Sequence, residues 1–223
     1  KKGANPRESG RFGDTNGASM RVSPVGLIHP GDVEGAARDA ALSCTPTHNT
    51  DVAASGAAAV AGAIAAALQA DATLDSIVAG GVQAAELGRT LAPIWMGASI
   101  PRRIELAVRI AREDKPERER IQQLHDLIGT TLSISESVPA AFGILAMAEG
   151  EPVRTAIYAA ALSGDADTIG AMACAIAGTW RGVDAIPAEH IATLRSVNPE
   201  IEFDRVAAGL TALAMKNLTR SNG

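Results

Sequence analysis

The residues with the clearest chemical potential lie in a short polar stretch before a predicted helix. Asp165 and Asp167 are two residues apart, and Thr168 follows them directly. In an irregular turn, two carboxylates and a hydroxyl can direct their oxygens to one point, which suits hard cations such as Mg²⁺, Mn²⁺ or Ca²⁺. The helix N-terminus favours the ionised carboxylates. Helix capping by either aspartate is the competing interpretation, because aspartate is a common N-cap residue.

Two further segments carry side chains that can contact a ligand. Asn16 and Gly17 lie among small residues, so the backbone there can approach a phosphate or a sugar hydroxyl closely. The same dipeptide is also common in ordinary turns. Thr47 and His48 precede a predicted helix start, where a histidine either binds a ligand or only caps and packs.

A fourth segment, residues 130–139, is polar and rich in β-branched residues. It contains Glu136, and we expect the helix that follows to begin at Pro139. Three roles are open to Glu136: a helix cap, a carboxylate that supports the ligand-binding residues, or a catalytic base. The first two are favoured.

The elements that must position these residues are helices. Alanine accounts for 45 of the 223 residues and aromatic side chains for six. Alanine is the strongest helix former and is depleted in strands, so the composition indicates helices packed closely through small side chains. The longest apolar run predicts a central helix from Asp51 to Gln69, capped by Asn49 or Thr50. This run is too short and too weakly apolar to indicate a membrane span.

Caps, prolines and apolar periodicity predict the remaining helices, and no segment of useful length alternates as a half-buried strand would. Residues 1–31 are rich in glycine and proline and are expected to form a loop. We therefore predict an all-α fold in one domain, residues 1–223, without an internal linker. The other expected helices span residues 32–43, 73–90, 102–113, 116–129, 139–148, 152–162, 168–179, 187–197 and 203–218.

The composition argues against several classes of function. Lys and Arg total 20 against 25 Asp and Glu, and this net charge of −5 argues against a basic face for nucleic acid. The few aromatic side chains offer no stacking platform for bases. The two cysteines, Cys44 and Cys174, cannot form a disulfide framework and suit a reducing compartment. No signal peptide is visible, so we expect a cytoplasmic protein. From the charge, the aromatic content and the short apolar run, we expect neither nucleic-acid nor membrane partners.

Taken in order, four segments resemble the ADP-ribosylglycohydrolase family, which includes enzymes that remove ADP-ribose from arginine. The resemblance extends over essentially all 223 residues, and its most specific part is the last segment. It implies a compact all-α orthogonal bundle with two Mg²⁺ or Mn²⁺ ions. The implied activity is metal-dependent hydrolysis of the N-glycosidic bond between ADP-ribose and a protein side chain, arginine above others. The segments are Thr15–Val22, Thr47–His48, Ser135–Ala141 and Gly164–Ala171.

The resemblance also implies a role for each matching residue. The implied metal ligands are Asp165, Asp167 and Thr168, and Asp167 is in addition the candidate catalytic residue that links metal and water. The implied partner is an ADP-ribosylated protein or a small ADP-ribosyl compound. The residues expected to bind this substrate are Asn16, Gly17, Ala18, Ser19, Thr47 and His48.

The sequence departs from the family in one respect. Family members carry an earlier Thr-Asp-Asp motif that completes the metal site, and these 223 residues contain no Asp-Asp pair. We therefore expect that the family's N-terminal segment is not among these residues, and that this segment or a separate N-terminal fragment supplies the missing ligands. Two alternatives stay open: a catalytically inactive relative with a binding or structural role, and a hydrolase of another ribosyl N-glycoside.

Overall fold

The computed structural model describes residue 3 and residues 5–221, and these residues form twelve α-helices. Two 3₁₀ turns, Asn16–Ala18 and Val183–Ala185, and a π-helical turn, Leu124–Ile128, lie between them. The predicted all-α fold class is confirmed. In chain order the helices are α1 (Pro6–Ser9), α2 (Ser23–Leu27), α3 (Val33–Cys44), α4 (Asp51–Ala67), α5 (Leu74–Arg89), α6 (Ile100–Ala111), α7 (Glu117–Gln123), α8 (Ile134–Met147), α9 (Pro152–Leu162), α10 (Ala166–Arg181), α11 (Ala188–Val197) and α12 (Phe203–Ser221).

Helix α4 is the centre of the bundle, as predicted, and every one of its residues is buried. Thr50 is the N-cap, and its hydroxyl oxygen accepts a hydrogen bond from the backbone N–H of Ala53 at 3.3 Å. Small residues set the distance to the neighbouring helix α5. A Cβ atom added at Gly62 would lie 2.3 Å from the Cβ of Ala84, so the two helices touch almost backbone to backbone.

Helix α8 begins at Ile134, five residues before the predicted start at Pro139, which lies inside the helix. The first turn of α8 is stabilised by apolar burial, because the side chains of Ile134 and Val138 are fully buried. Ile134 packs against Gly56 of α4, where an added Cβ would lie 2.6 Å from its Cγ1. Packing against the central helix therefore outweighs the backbone hydrogen bond that Pro139 cannot donate.

Residues 1–31 also differ from the predicted loop, because they contain α1, α2 and the 3₁₀ turn. Both short helices have a proline in their first turn, where the missing N–H has no helical partner to lose. Helix α10 begins at Ala166 rather than at Thr168 and runs to Arg181. The predicted centres of the long helices are correct, and the errors fall on their ends.

The last two helices lie on the outside of the bundle. Helix α12 contacts α2, where Ala214 is buried and the Asn217 amide donates to the Ile28 carbonyl at 2.7 Å. Most of the other large apolar side chains of α11 and α12 are exposed, including Val197 and Val206. Within residues 3 and 5–221, none of the helices has the length and apolarity needed to cross a bilayer.

Three helix N-termini meet at one end of the bundle, around the segment that precedes the 3₁₀ turn at Asn16. The Thr50 hydroxyl at the start of α4 donates to the Gly13 carbonyl at 2.6 Å. At the start of α8, the Ile134 N–H donates to the Asp14 carbonyl at 3.1 Å. The start of α10 lies at the same end, because the carboxylate of its N-cap residue Asp165 accepts a hydrogen bond from the Asn16 amide. The fold thus gathers segments from distant parts of the sequence at one end.

Two glycines test the role of small residues in this packing. Gly62→Ala places a methyl group against Ala84, and we expect it to lower the free energy of unfolding by about 1–3 kcal/mol through overpacking. Gly178→Ala is the matched control, because an added Cβ there meets nothing within 4 Å. That change should raise the stability by about 0.5–1 kcal/mol, since alanine favours the helix. Urea unfolding measures both, and equal effects of the two variants would contradict the packing account.

Candidate active site

The turn between α9 and α10 holds Asp165 in an unusual backbone path. Ser163 and Gly164 both have positive φ angles, of 69° each. Gly164 is needed for close approach as well, because a Cβ there would lie 2.3 Å from the hydroxyl oxygen of Thr130. The Asp165 N–H donates to the Thr130 carbonyl at 2.8 Å. The turn is therefore pinned to the loop that precedes α8.

The carboxylate of Asp165 is held by two neutral donors. The buried Asn16 amide donates to Oδ2 at 2.5 Å, and the Thr168 hydroxyl donates to Oδ1 at 3.1 Å. Although Asp165 occupies the N-cap position of α10, its side chain accepts no capping hydrogen bond. The capping interpretation of Asp165 is therefore wrong. The Asn16 and Asp165 segments, which the sequence identifies separately, are therefore in direct contact.

Asp167 and Thr168 lie in the first turn of α10, Asp167 exposed and Thr168 buried. With Asp165 they supply hard oxygen donors of the type that Mg²⁺ and Mn²⁺ prefer, but fewer of them than octahedral coordination requires. In the described part of the chain, no group of three or more His, Cys, Asp or Glu residues is arranged to hold a metal. These residues thus fit part of a divalent-cation site by donor type, and further ligands are needed.

The 3₁₀ turn that carries Asn16 is fixed from both sides. The Asn16 N–H donates to the Leu132 carbonyl at 2.9 Å, next to a bridge between Thr15 and Ser133. Inside the turn, the Ser19 hydroxyl donates to the Asn16 carbonyl at 2.9 Å. Ala18 and Ser19 have no exposed surface. Unlike the expectation from the sequence, these two residues support the turn from within and do not line an open surface.

Thr47 and His48 lie beside this turn. The two ring nitrogens of His48 contact the hydroxyls of Thr15 at 2.9 Å and Thr47 at 2.8 Å. The Arg21 guanidinium also donates to the Thr47 hydroxyl, at 2.6 Å. Burial lowers the pKa of His48, and the charge of Arg21 lowers it further, against a smaller opposing effect of Asp14. A neutral imidazole accepts at one nitrogen and donates at the other, and two hydroxyl partners can satisfy both nitrogens.

Gly17 completes this contact. A Cβ at Gly17 would lie 2.9 Å from Cε1 of His48, so only glycine allows the ring to lie against the turn. The structure thus brings together four of the six predicted substrate-binding residues, namely Asn16, Gly17, Thr47 and His48. Their role toward a ligand stays a prediction.

Sequence reasoning missed the loop before α8. Residues Thr130–Ser133 line a shallow depression of about 450 Å³ together with Gly164 and Asp165. This loop contacts both site segments, through the Thr130 and Leu132 carbonyls described above. The polar composition of residues 130–139 was the available signal, but it pointed to the Glu136 side chain and not to the backbone carbonyls of the loop. Glu136 accepts hydrogen bonds from Thr131 of this loop, which fits the predicted supporting role and not a helix cap.

A larger recess of about 770 Å³ is lined by residues from the start of the chain, from α3 and from the segment after α5. Phe12 and Trp95 form an edge-to-face pair in its wall, with ring centroids 5.5 Å apart. Trp95 is anchored to the site, because its indole N–H donates to the Asp14 carboxylate at 3.3 Å and its backbone N–H to Asp51 at 2.9 Å. The other lining residues include the cationic side chains of Arg7, Arg11 and Arg38.

The chain is similar in sequence to known proteins. YegU of Escherichia coli (strain K12), described as an uncharacterized protein, is 39% identical over 202 residues, which cover 89% of this chain and 59% of YegU. The ADP-ribosylhydrolase ARH3 of Homo sapiens is 28% identical over 196 residues, or 77% of this chain and 51% of ARH3. The chain thus spans a little over half the length of these curated relatives. Because the ADP-ribosylglycohydrolase family model matches residues 1–221, the chain belongs to the ADP-ribosylglycohydrolase family.

Proposed function

We propose that the protein hydrolyses the N-glycosidic bond between ADP-ribose and a protein side chain, with arginine as the expected side chain. The observation that carries this proposal is the fixed orientation of the Asp165 carboxylate. Its two oxygens accept hydrogen bonds from Asn16 and Thr168 beside an open depression. Membership of the family supports the reaction class, and so does the similarity to a protein named ADP-ribosylhydrolase.

The proposal includes two divalent cations, Mg²⁺ or Mn²⁺. Asp165, Asp167 and Thr168 provide carboxylate and hydroxyl oxygens for them, and the remaining ligands come from water or from protein outside these 223 residues. When bound, such cations bind sugar hydroxyls and lower the pKa of a water molecule. In the described residues no ion pair involves Asp165 or Asp167, so no basic side chain competes for these carboxylates.

The chain's own residues contribute to the reaction in three ways. Positive charge develops on the ribose ring as the C–N bond breaks, and the carboxylates of Asp165 and Asp167 stabilise it. Asp167 is exposed and accepts a proton from the attacking water as general base. The hydroxyl of that water remains on the ribose, and the leaving nitrogen takes up a proton. Asn16 keeps Asp165 in one orientation, so that less reorganisation accompanies the reaction.

The large recess is the proposed site for the nucleotide end of the substrate. Its volume of about 770 Å³ falls in the range of small-molecule pockets, which is about 300–1,000 Å³. The exposed Phe12 ring offers a face on which a base can stack. Arg7 at the same wall provides positive charge for a diphosphate, whereas the charge of Arg11 is paired with Glu8 at 3.4 Å. The link from Trp95 to Asp14 connects this recess to the turn that carries Asn16.

An inactive relative with a binding role is the second candidate. One observation favours it, namely that the described residues provide only part of a metal-ligand set. Hydrolysis of another ribosyl N-glycoside is the further alternative, which shares the same carboxylates. Release of ADP-ribose from ADP-ribosyl-arginine by the full-length protein separates these possibilities, because only the proposed enzyme turns over this compound.

Asp165→Asn tests the carboxylate directly. We expect turnover of ADP-ribosyl-arginine to fall by about 100- to 1,000-fold, because the amide provides no charge for the cation or for the oxocarbenium ion. The free energy of unfolding should change by only about 1 kcal/mol, since the amide can still form hydrogen bonds with its neighbours. Product release and calorimetric titration with Mn²⁺ measure the two effects. Asp71→Asn, at an exposed turn, is the control, and full turnover by the Asp165 variant would disprove the assignment.

Phe12→Ala tests the nucleotide recess. Loss of one aromatic stacking partner costs about 1–3 kcal/mol, so we expect KM for ADP-ribosyl-arginine to rise about 5- to 150-fold with kcat little changed. The dissociation constant of free ADP-ribose should rise by the same factor. Ile157→Ala removes a comparably exposed apolar side chain from α9 and should change neither quantity. An unchanged KM in the Phe12 variant would show that the base binds elsewhere.

A further inference from the structure

We infer that Glu136 is a positioning residue for this site and acts through the loop Thr130–Ser133. One oxygen of its carboxylate, Oε2, accepts two hydrogen bonds from Thr131, from the backbone N–H at 3.0 Å and from the hydroxyl at 2.7 Å. Glu136 contacts neither Asp165 nor Asn16 directly through a hydrogen bond. Its effect on them must therefore pass through the loop.

The loop connects Glu136 to both parts of the site, the Asp165 turn and the Asn16 turn. Thr131 stands between two residues whose carbonyls bind the site segments. The Thr130 carbonyl accepts from the Asp165 N–H at 2.8 Å, and the Leu132 carbonyl accepts from the Asn16 N–H at 2.9 Å. A shift of Thr131 thus displaces the two backbone anchors on either side of it. The Asn16 amide and the Asp165 carboxylate would then lose their alignment.

Glu136 is itself held on a rigid element, as a positioning residue needs to be. It lies in the first turn of α8, between the fully buried side chains of Ile134 and Val138. The loop is shaped to admit its carboxylate at Gly129, which has a φ of +86°. A Cβ at that position would lie 2.5 Å from Oε2 of Glu136.

The loop has internal contacts that keep it from moving independently of α8. The Ser133 N–H donates to the Thr131 hydroxyl at 3.2 Å, and the Ser137 hydroxyl donates to the Ser133 carbonyl at 3.0 Å. The Thr131 hydroxyl therefore accepts from the loop and donates to Glu136. The Glu136 carboxylate is thus the contact through which α8 holds Thr131, while Ser137 holds Ser133.

The kinetic consequence rests on the proposed function, but the positioning itself does not. The positioning is measured directly by hydrogen–deuterium exchange of the full-length protein, as the exchange rates of the backbone amides of Asp165 and Asn16. In Glu136→Ala we expect both amides to exchange at least about 10-fold faster than in the wild type, because their acceptors are no longer held. Glu136→Gln should restore most of the protection, since the amide oxygen can accept the same two hydrogen bonds.

Glu151→Ala is the matched control. Glu151 also stands at a helix start and accepts two backbone hydrogen bonds, from Val153 and Arg154 at the beginning of α9. Its removal should increase exchange at α9 and leave Asp165 and Asn16 protected. If Glu136→Ala does not fold, Thr131→Val removes the hydroxyl side of the same contact at an exposed position and should increase exchange at the same two amides.

Turnover of ADP-ribosyl-arginine provides the second measurement. A displacement of the reacting groups lowers kcat, and we expect a loss of about 10- to 100-fold in Glu136→Ala with recovery in Glu136→Gln. A wild-type protein without turnover would disprove the proposed function and leave the exchange measurement decisive for Glu136. Wild-type exchange rates at Asp165 and Asn16 in Glu136→Ala would overturn the positioning role.

Discussion

The hydrogen bond between the Asn16 amide and the Asp165 carboxylate joins two segments that lie 149 residues apart, and the arrangement of the site depends on it. Neither segment can reach the other unless the helices between them are closely packed. Alanine and glycine line the face of α4 that meets α5, and α5 approaches this face almost at backbone distance at Gly62. Close packing of helices through alanine and glycine is therefore a condition for the site and not only a feature of the core.

The site is also defined by the kind of partner that Asp165 has. A half-buried carboxylate in a protein is commonly paired with Arg or Lys, yet the donors here are a neutral amide and a hydroxyl. Neutral donors orient the carboxylate without cancelling its charge. The charge remains available for a cation or for a substrate that becomes positive during reaction. This is the physical link between the geometry and the proposed glycohydrolase chemistry.

The fold could be predicted from the sequence wherever composition or capping dominates. The buried α4 and its Thr50 cap follow from the alanine run and from ordinary N-cap preference. The start of α8 could not be predicted, because tertiary burial of Ile134 decides it and Pro139 gives the opposite local signal. The same holds for α1 and α2, which local glycine and proline content concealed.

The sequence could predict which side chains belong to the candidate site, but not the backbone groups that position them. The motifs identified Asn16, Asp165, Thr47 and His48 separately, and the structure places Asn16 against Asp165 and His48 against Gly17. The loop before α8 was missed because it acts through the carbonyls of Thr130 and Leu132, and backbone groups leave no residue-type signal. Ala18 and Ser19 were predicted to bind the substrate, although both are fully buried, because a motif does not reveal which of its members face inward.

The central claim is that Asn16 and Asp165 act as one unit in hydrolysis. A double-mutant cycle on kcat/KM for ADP-ribosyl-arginine, with Asn16→Ala, Asp165→Ala and the double variant of the full-length protein, tests it most directly. Residues that act as a unit have non-additive effects, so the account predicts a double variant no slower than Asp165→Ala alone. Independent, additive losses from the two substitutions would contradict it.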